Sequence, residues 1–159
     1  MQVHNYEHHE NDQTHVMHAL NIASYARLSS GKYLMLIEDI IYCPEPVTNV
    51  IKDFVLFACR ELQLDSMPEI EIITGPVHNQ NSTSFAAYSP EKKIYLYVRH
   101  RHIMDVLRSL CHEMVHYRQH ILNQLHAGSG KTGSDQENEA NAVAGQIMRK
   151  FGHSHPQLF

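Results

Sequence analysis

The stretch Ser109-Leu-Cys-His-Glu-Met-Val-His-Tyr-Arg-Gln-His120 contains H-E-x-x-H, carried by His112, Glu113 and His116. On a helix the two imidazoles stand one turn apart on one side, near enough to share an ion, with the carboxylate beside them. Such a set serves metal-assisted hydrolysis. The nitrogens hold the ion, and a neighbouring carboxylate that is not a ligand takes a proton from water. The chain has 14 histidines in 159 residues, however, and this composition yields the pattern by chance about one time in twelve. The surroundings must decide.

Two imidazoles leave a zinc ion short of ligands, and a hydrolytic site needs a third protein ligand plus an open position for water. Residues 133–152, GSDQENEANAVAGQIMRKFG, offer Asp135, Glu137 and Glu139. Projected on a helix, Glu137 shares a face with Ala140, Asn141, Ala144, Ile147, Met148 and Phe151. Glu139 falls well round from it, with Ala142, Gln146 and Lys150, and is expected to face solvent. Glu137 is therefore the expected third ligand. Asn141, one turn on, is placed to hydrogen-bond the distal nitrogen of a ligating histidine. A capping box, Ser134-x-x-Glu137, competes for the same carboxylate. For His112 and His116 the competing role is a hydrogen-bonded pair within a helical core. The longer pattern H-E-x-x-H-x-x-G-x-x-H fails, because Gln119 and Leu122 stand where its glycine and third histidine belong. His120, one turn beyond His116, is a candidate for the cleft rim.

The elements that must hold these groups are legible in the periodicity. A helix over about 103–125 places Ile103, Val106, Leu107, Leu110, Met114, Tyr117 and Ile121 on one apolar face, suited to packing on a sheet. His112 and His116 fall on the opposite face, with Cys111, Val115 and Leu122 on a flank. Upstream, 48–64 reads as a helix with Val50, Ile51, Phe54, Val55, Ala58 and Leu62 inward and Thr48 or Asn49 as cap. Residues 68–74 read as a strand, and 83–98 as two strands about a turn at Ser89-Pro-Glu-Lys-Lys. In the second of these, Ile94, Leu96 and Val98 share one face and Tyr95 and Tyr97 the other. A last helix, about 135–150, is expected to end at Gly152. The Gly/Ser run 126–134 reads as a flexible linker. Its GSGKT segment resembles part of a phosphate-binding loop, but Leu125 stands where the first glycine belongs and a helix, not a strand, precedes it.

The totals bound the rest. A chain of 159 residues with 43% hydrophobic and 19% charged residues suits one domain, here an α+β domain at 46–152. An extension, partly flexible, is expected at 1–45 and a tail at 153–159. Within the extension, 15–28 suggests a short helix and 33–42 an apolar run, while His4/His8 and His15/His18 read as solvated histidines. A net charge of -4 gives no electrostatic case for nucleic acid or an anionic membrane. Cys43, Cys59 and Cys111 are too few and too scattered for a disulfide frame or a cysteine zinc site, and read as reduced thiols. The amino terminus lacks a basic segment followed by an apolar run, so a cytoplasmic location is expected.

HEMVH followed by Glu137-Asn-Glu-Ala-Asn141 resembles the gluzincins, zinc metallopeptidases whose third ligand is a glutamate on a later helix. The short layout is most similar to minimal gluzincins and to small metallopeptidases of tailed phages and bacteria. The resemblance covers about 48–152 and is specific at the two motifs. It implies a small zincin-like domain with a short, mainly antiparallel sheet packed on an active-site helix and a following glutamate helix. It also implies one Zn2+ on His112, His116 and Glu137, with Glu113 as general base and Asn141 supporting a ligand. Strand 94–98 would be the cleft rim along which a peptide lies extended. His120, His153 and His155 are the candidates for the group that steadies the tetrahedral intermediate. The implied protein is an intracellular, monomeric peptidase acting on a peptide or protein, in a host cell if phage-encoded. The alternative is a zinc-binding or regulatory module of the same fold without turnover.

Overall fold

The elements run in the order β1 (His4–Asn5), α1 (Val47–Glu61), β2 (Ser66–Met67), β3 (Glu69–Ile73), β4 (Val77–Asn79), β5 (Ser82–Ser84), β6 (Ala86–Ser89), β7 (Lys93–Tyr97), α2 (Ile103–Ile121) and α3 (Asp135–Ser154). A short 3-10 turn, Pro156–Leu158, closes the chain. The structure, a computed structural model, describes residues 4–5, 43, 47–73, 77–79 and 82–158. The helix expected within 15–28 and the apolar run at 33–42 lie outside the described residues. So do most of the expected amino-terminal tail and the histidines at positions 8, 15 and 18. His4–Asn5 is not free of the domain: it pairs antiparallel with Ser66–Met67.

The described residues form a small mixed α+β domain with three helices and a three-stranded sheet ordered β3-β7-β6. β7 runs parallel to β3 and antiparallel to β6, so the sheet is mixed rather than mainly antiparallel. Side chains alternate as a half-buried sheet requires: Ile70, Ile72, Ile94 and Leu96 turn inward, while Glu69, Glu71, Lys93 and Tyr95 turn outward. The pairs Ile70–Ile94 and Ile72–Leu96 lie in register across β3 and β7, and Tyr88 and Ala86 extend those rows on β6. On the outer face Lys93 lies between Glu69 at 3.3 Å and Glu71 at 2.5 Å. A second small hairpin, β4 with β5, fills the polar stretch that periodicity leaves unassigned.

The inner rows pack on α2. Ile103, Val106, Leu107, Leu110, Met114 and Tyr117 are all fully buried there, but Ile121 is 37% exposed and Leu122 53%. The helix stops because Asn123 adopts φ 55°, letting Asn123 N–H donate to His120 O and Gln124 N–H to Gln119 O. This left-handed cap ends α2 at Ile121, short of the expected 125. α1 closes in the same way at Gln63, with Gln63 N–H on Arg60 O and Leu64 N–H on Cys59 O. α1 starts at Val47, which places Thr48 and Asn49 inside its first turn rather than at the cap. Arg101 joins sheet to helix: its guanidinium donates to Tyr97 O, Asp105 O and Ser109 Oγ, each at 2.7 Å.

α3 packs on α2 and α1. The small side chains of Ala140 and Ala144, both buried, permit close approach to α2. Phe151 anchors the far end, edge-on to Phe54 at 5.0 Å and tilted against Phe57 at 5.4 Å. The helix runs through the buried Gly152 to Ser154. Pro156 disfavours helical backbone at His155 and sets the stop. Leu158, within the stretch expected as a tail, is fully buried. Phe151→Ala is expected to lower stability by about 3–5 kcal/mol, and Ile121→Ala by about 1 kcal/mol or less. Urea unfolding of the two variants measures both, and equal losses would contradict this packing.

Candidate metal centre

α2 presents His112 and His116 to α3, and α3 returns Glu137 from its first turn. His112 Nε2 lies 3.1 Å from His116 Nε2 and 3.3 Å from Glu137 Oε2, and His116 Nε2 lies 2.9 Å from Glu137 Oε1. The two rings are 4.7 Å apart and nearly perpendicular, so both nitrogens aim at one point. Among the described residues this is the one cluster of three or more His, Cys, Asp or Glu side chains that could hold a metal ion.

The donor set fits an ion. A tetrahedral site with bonds of about 2.0–2.1 Å has ligand-to-ligand edges of about 3.3–3.4 Å; here the two nitrogens are 3.1 Å apart and each lies 2.9–3.3 Å from a different oxygen of the Glu137 carboxylate, contacts at or somewhat below that length. Protons alone serve the cluster poorly. Each Nε2 carries at most one hydrogen, so with Glu137 ionised at most two of the three contacts can be hydrogen bonds. One cation can serve all three side chains. Burial, with His116 adding to it, holds His112 below the ordinary histidine range despite the opposing pull of Glu137 and Asn141. A neutral imidazole is the form that ligates.

Glu137 is not the return arm of a capping box. Ser134 Oγ does accept from Glu137 N–H at 3.2 Å. The reciprocal donor, Ser134 N–H, is taken by Lys131 O at 2.9 Å, and the Glu137 carboxylate faces the histidines. Asn141 hydrogen-bonds His112, although the residue as a whole is exposed. Glu139 departs from expectation. Its side chain is 38% exposed, yet its Oε2 accepts from Gln119 Nε2 at 2.8 Å and its Oε1 lies 3.5 Å from Arg118 Nη2. Gln119, which the motif pattern marks only as a missing glycine, is fully buried and lies against His116 Nδ1 at 2.8 Å. Its position three residues beyond His116, on the same helical face, is the signal that sequence carries for it.

Glu113 stands outside the cluster and is half-buried. Burial pushes its carboxyl up to about 7, with the charge of Glu137 adding to the rise. His116 and a hydrogen bond from the backbone N–H of Tyr88 pull the other way. The Tyr88 hydroxyl lies 2.7 Å from His120 Nδ1, and its ring packs edge-on against Tyr117. His120 is thus tied to β6. His153 and His155 lie at the other end of α3, sixteen and eighteen residues beyond Glu137, or roughly 24–27 Å along a helix. That distance removes both from the site. His155 instead stacks on Phe151 at 3.9 Å.

The expected rim also moves. β7, with Ile94–Val98 at and just past it, is the central strand and is paired on both sides, so its backbone cannot receive a peptide. Among the described residues β6 is the edge strand on the side of α2. The bond from Tyr97 N–H to Phe85 O, 2.9 Å, fixes the ladder's phase: Phe85 and Ala87 turn their backbone groups toward β7, and Ala86 and Tyr88 turn theirs away. Tyr88 N–H accordingly reaches Glu113.

The glycine-rich run is a series of turns rather than a flexible linker. Ser129 N–H, Lys131 N–H and Ser134 N–H donate to His126 O, Gly128 O and Lys131 O, with Gly128 and Gly133 at φ 94° and 87°. Cys111 is fully buried, and burial pushes its thiol up to about 12, so it offers no thiolate. No described helix is long and apolar enough to cross a membrane. Comparison of the chain with protein-family models, curated proteins and solved structures found no match in any of the three.

In the metal-free protein Glu113 holds its proton more tightly folded than unfolded. The stability this contributes is present below the ordinary carboxylate range and is lost as pH rises through about 7. Glu113→Gln is therefore expected to stabilise the metal-free protein at about pH 8, by an amount on the order of 1–3 kcal/mol, and to change little at about pH 5. Thermal unfolding of the two forms across that range tests this. A pH-independent difference would mean that Glu113 behaves as an exposed carboxylate.

Proposed function

We propose that the chain is a zinc-dependent peptidase of the gluzincin type, built on a small zincin-like domain. The observation that carries this reading is the convergence of His112 Nε2, His116 Nε2 and the Glu137 carboxylate in mutual contacts of 2.9 to 3.3 Å, close enough to share one ion. Glu113 lies beside them and outside the ligand set. When bound, zinc supplies the charge that polarises a carbonyl and makes water acidic near neutral pH.

The remaining work falls to the chain's own groups. Glu113, held by Tyr88 N–H and kept half-buried, accepts a proton from water and delivers it to the departing amine. Its raised pKa suits a group that must both take and return a proton near pH 7. The substrate backbone pairs with the outward groups of β6, Ala86 N–H and C=O and Tyr88 C=O, as an added strand. Because Tyr88 N–H already touches Glu113, this edge sets a bound peptide beside the base. Asn141 and Gln119 steady the two histidines. A peptide or protein substrate is the partner implied, and one chain holds every group named.

The test uses zinc-loaded protein and an unfolded protein substrate. Wild type is expected to hydrolyse it. Glu113→Gln is expected to keep the ion and lose roughly 100- to 10,000-fold in rate. Glu137→Ala is expected to lose the ion itself, as measured by competition with a chelator. Zinc bound with no hydrolysis by wild type, or hydrolysis untouched by Glu113→Gln, would sink the peptidase reading and leave a binding module.

A further inference from the structure

Gln119 is a polar side chain with no exposure, set between the candidate ligand His116 and helix α3. Its Nε2 has two acceptors, Gln136 O at 3.0 Å and Glu139 Oε2 at 2.8 Å. Neither oxygen carries a hydrogen to offer, so the amide nitrogen must face them. The amide oxygen is then the atom left for His116 Nδ1, at 2.8 Å. An amide oxygen only accepts, so the shared proton sits on Nδ1. A neutral imidazole protonated at Nδ1 leaves Nε2 bare, and Nε2 is the atom aimed at His112 and Glu137. A free neutral histidine side chain prefers the opposite arrangement, with its proton on Nε2. The protein therefore holds His116 in the less common tautomer.

We propose that Gln119 and Glu139 are positioning residues that act as one relay, fixing His116 with its proton at Nδ1 and its lone pair at Nε2 toward the metal centre. The inference rests on reading the cluster as a metal site, and extends it to a carboxylate on α3 that contacts no ligand atom directly. Glu139 matters because an amide has two faces. With Glu139 in place, a flip of Gln119 would set an amide oxygen against a carboxylate and leave the NH2 facing His116, where it would favour the wrong tautomer. Arg118 Nη2, 3.5 Å from the other Glu139 oxygen, helps hold the carboxylate in place. Gln136 O provides a second anchor, so losing Glu139 weakens the orientation rather than abolishing it.

Two measurements test the relay. In metal-free protein at about pH 8, imidazole nitrogen NMR is expected to find His116 Nδ1 protonated, whether the ring is neutral or charged; an unprotonated Nδ1 overturns the proposal. Zinc affinity is then read by competition with a chromophoric chelator, alongside thermal unfolding to verify the fold. Gln119→Leu is expected to weaken binding by about 10- to 100-fold, the usual cost of losing a ligand's hydrogen-bond partner. Glu139→Ala should weaken it several-fold, Glu139→Gln should restore it through its carbonyl, and Glu139→Ala should cost nothing further in the Gln119→Leu background. A folded Gln119→Leu protein with wild-type affinity overturns the relay, as does a Glu139→Ala loss equal in both backgrounds. Should Gln119→Leu fail to fold, the Glu139→Ala and Glu139→Gln pair decides. A wild type that binds no zinc removes the metal reading instead, and the NMR result still judges the relay.

Discussion

Three acceptor-bearing side chains held in mutual contacts of 2.9 to 3.3 Å, in a place only partly open to water, are the constraint on which the molecule turns. Two imidazole nitrogens and a carboxylate repel one another as lone pairs unless protons or a cation stand between them, and protons can serve only two of the three contacts. Holding them together takes close packing of α3 on α2. The small Ala140 and Ala144 allow the approach, and the aromatic cluster of Phe54, Phe57 and Phe151 fixes the distant end. The core thus maintains an arrangement that is costly without a cation and favourable with one.

The sheet reaches the same centre through Glu113. β6 lies beside α2, and the antiparallel phase of its pairing with β7 turns Tyr88 N–H outward onto Glu113. The Tyr88 side chain is meanwhile held by His120 and packed on Tyr117, which itself lies 2.5 Å from Ser66 Oγ. Edge strand, motif helix and base are therefore joined through one residue. Burial keeps the Tyr88 hydroxyl well above the ordinary tyrosine range, so it remains neutral and hydrogen-bonded wherever the protein is folded.

Helical faces were legible in the sequence because burial on a helix follows a single angle. The inward residues of α2 up to Tyr117, and the apolar residues on the face carrying Glu137, lie where the projection puts them. Projection fails where a long side chain bends away from its own Cα direction, which is why Glu139 reaches Gln119 despite its angle. Gln119 was visible as a polar residue in step with His116, but a search for motif letters passes over it. Strand order was not legible: alternation marks β7 as half-buried, yet nothing in its residues says that it is flanked on both sides. β7 is accordingly closed to an added strand, and the edge among the described residues is β6. Helix ends were misplaced for local reasons, since Asn123 stops α2 early and Gly152 does not stop α3 where Pro156 does.

The central claim is that α2 and α3 together form one metal site. X-ray absorption at the zinc edge of stoichiometrically loaded protein tests it most directly. The account predicts one ion per chain, with two imidazole nitrogens and a carboxylate oxygen at about 2.0–2.2 Å, and loss of that signature in Glu137→Ala. Zinc held by sulfur, or an unchanged spectrum when Glu137 is removed, would contradict it.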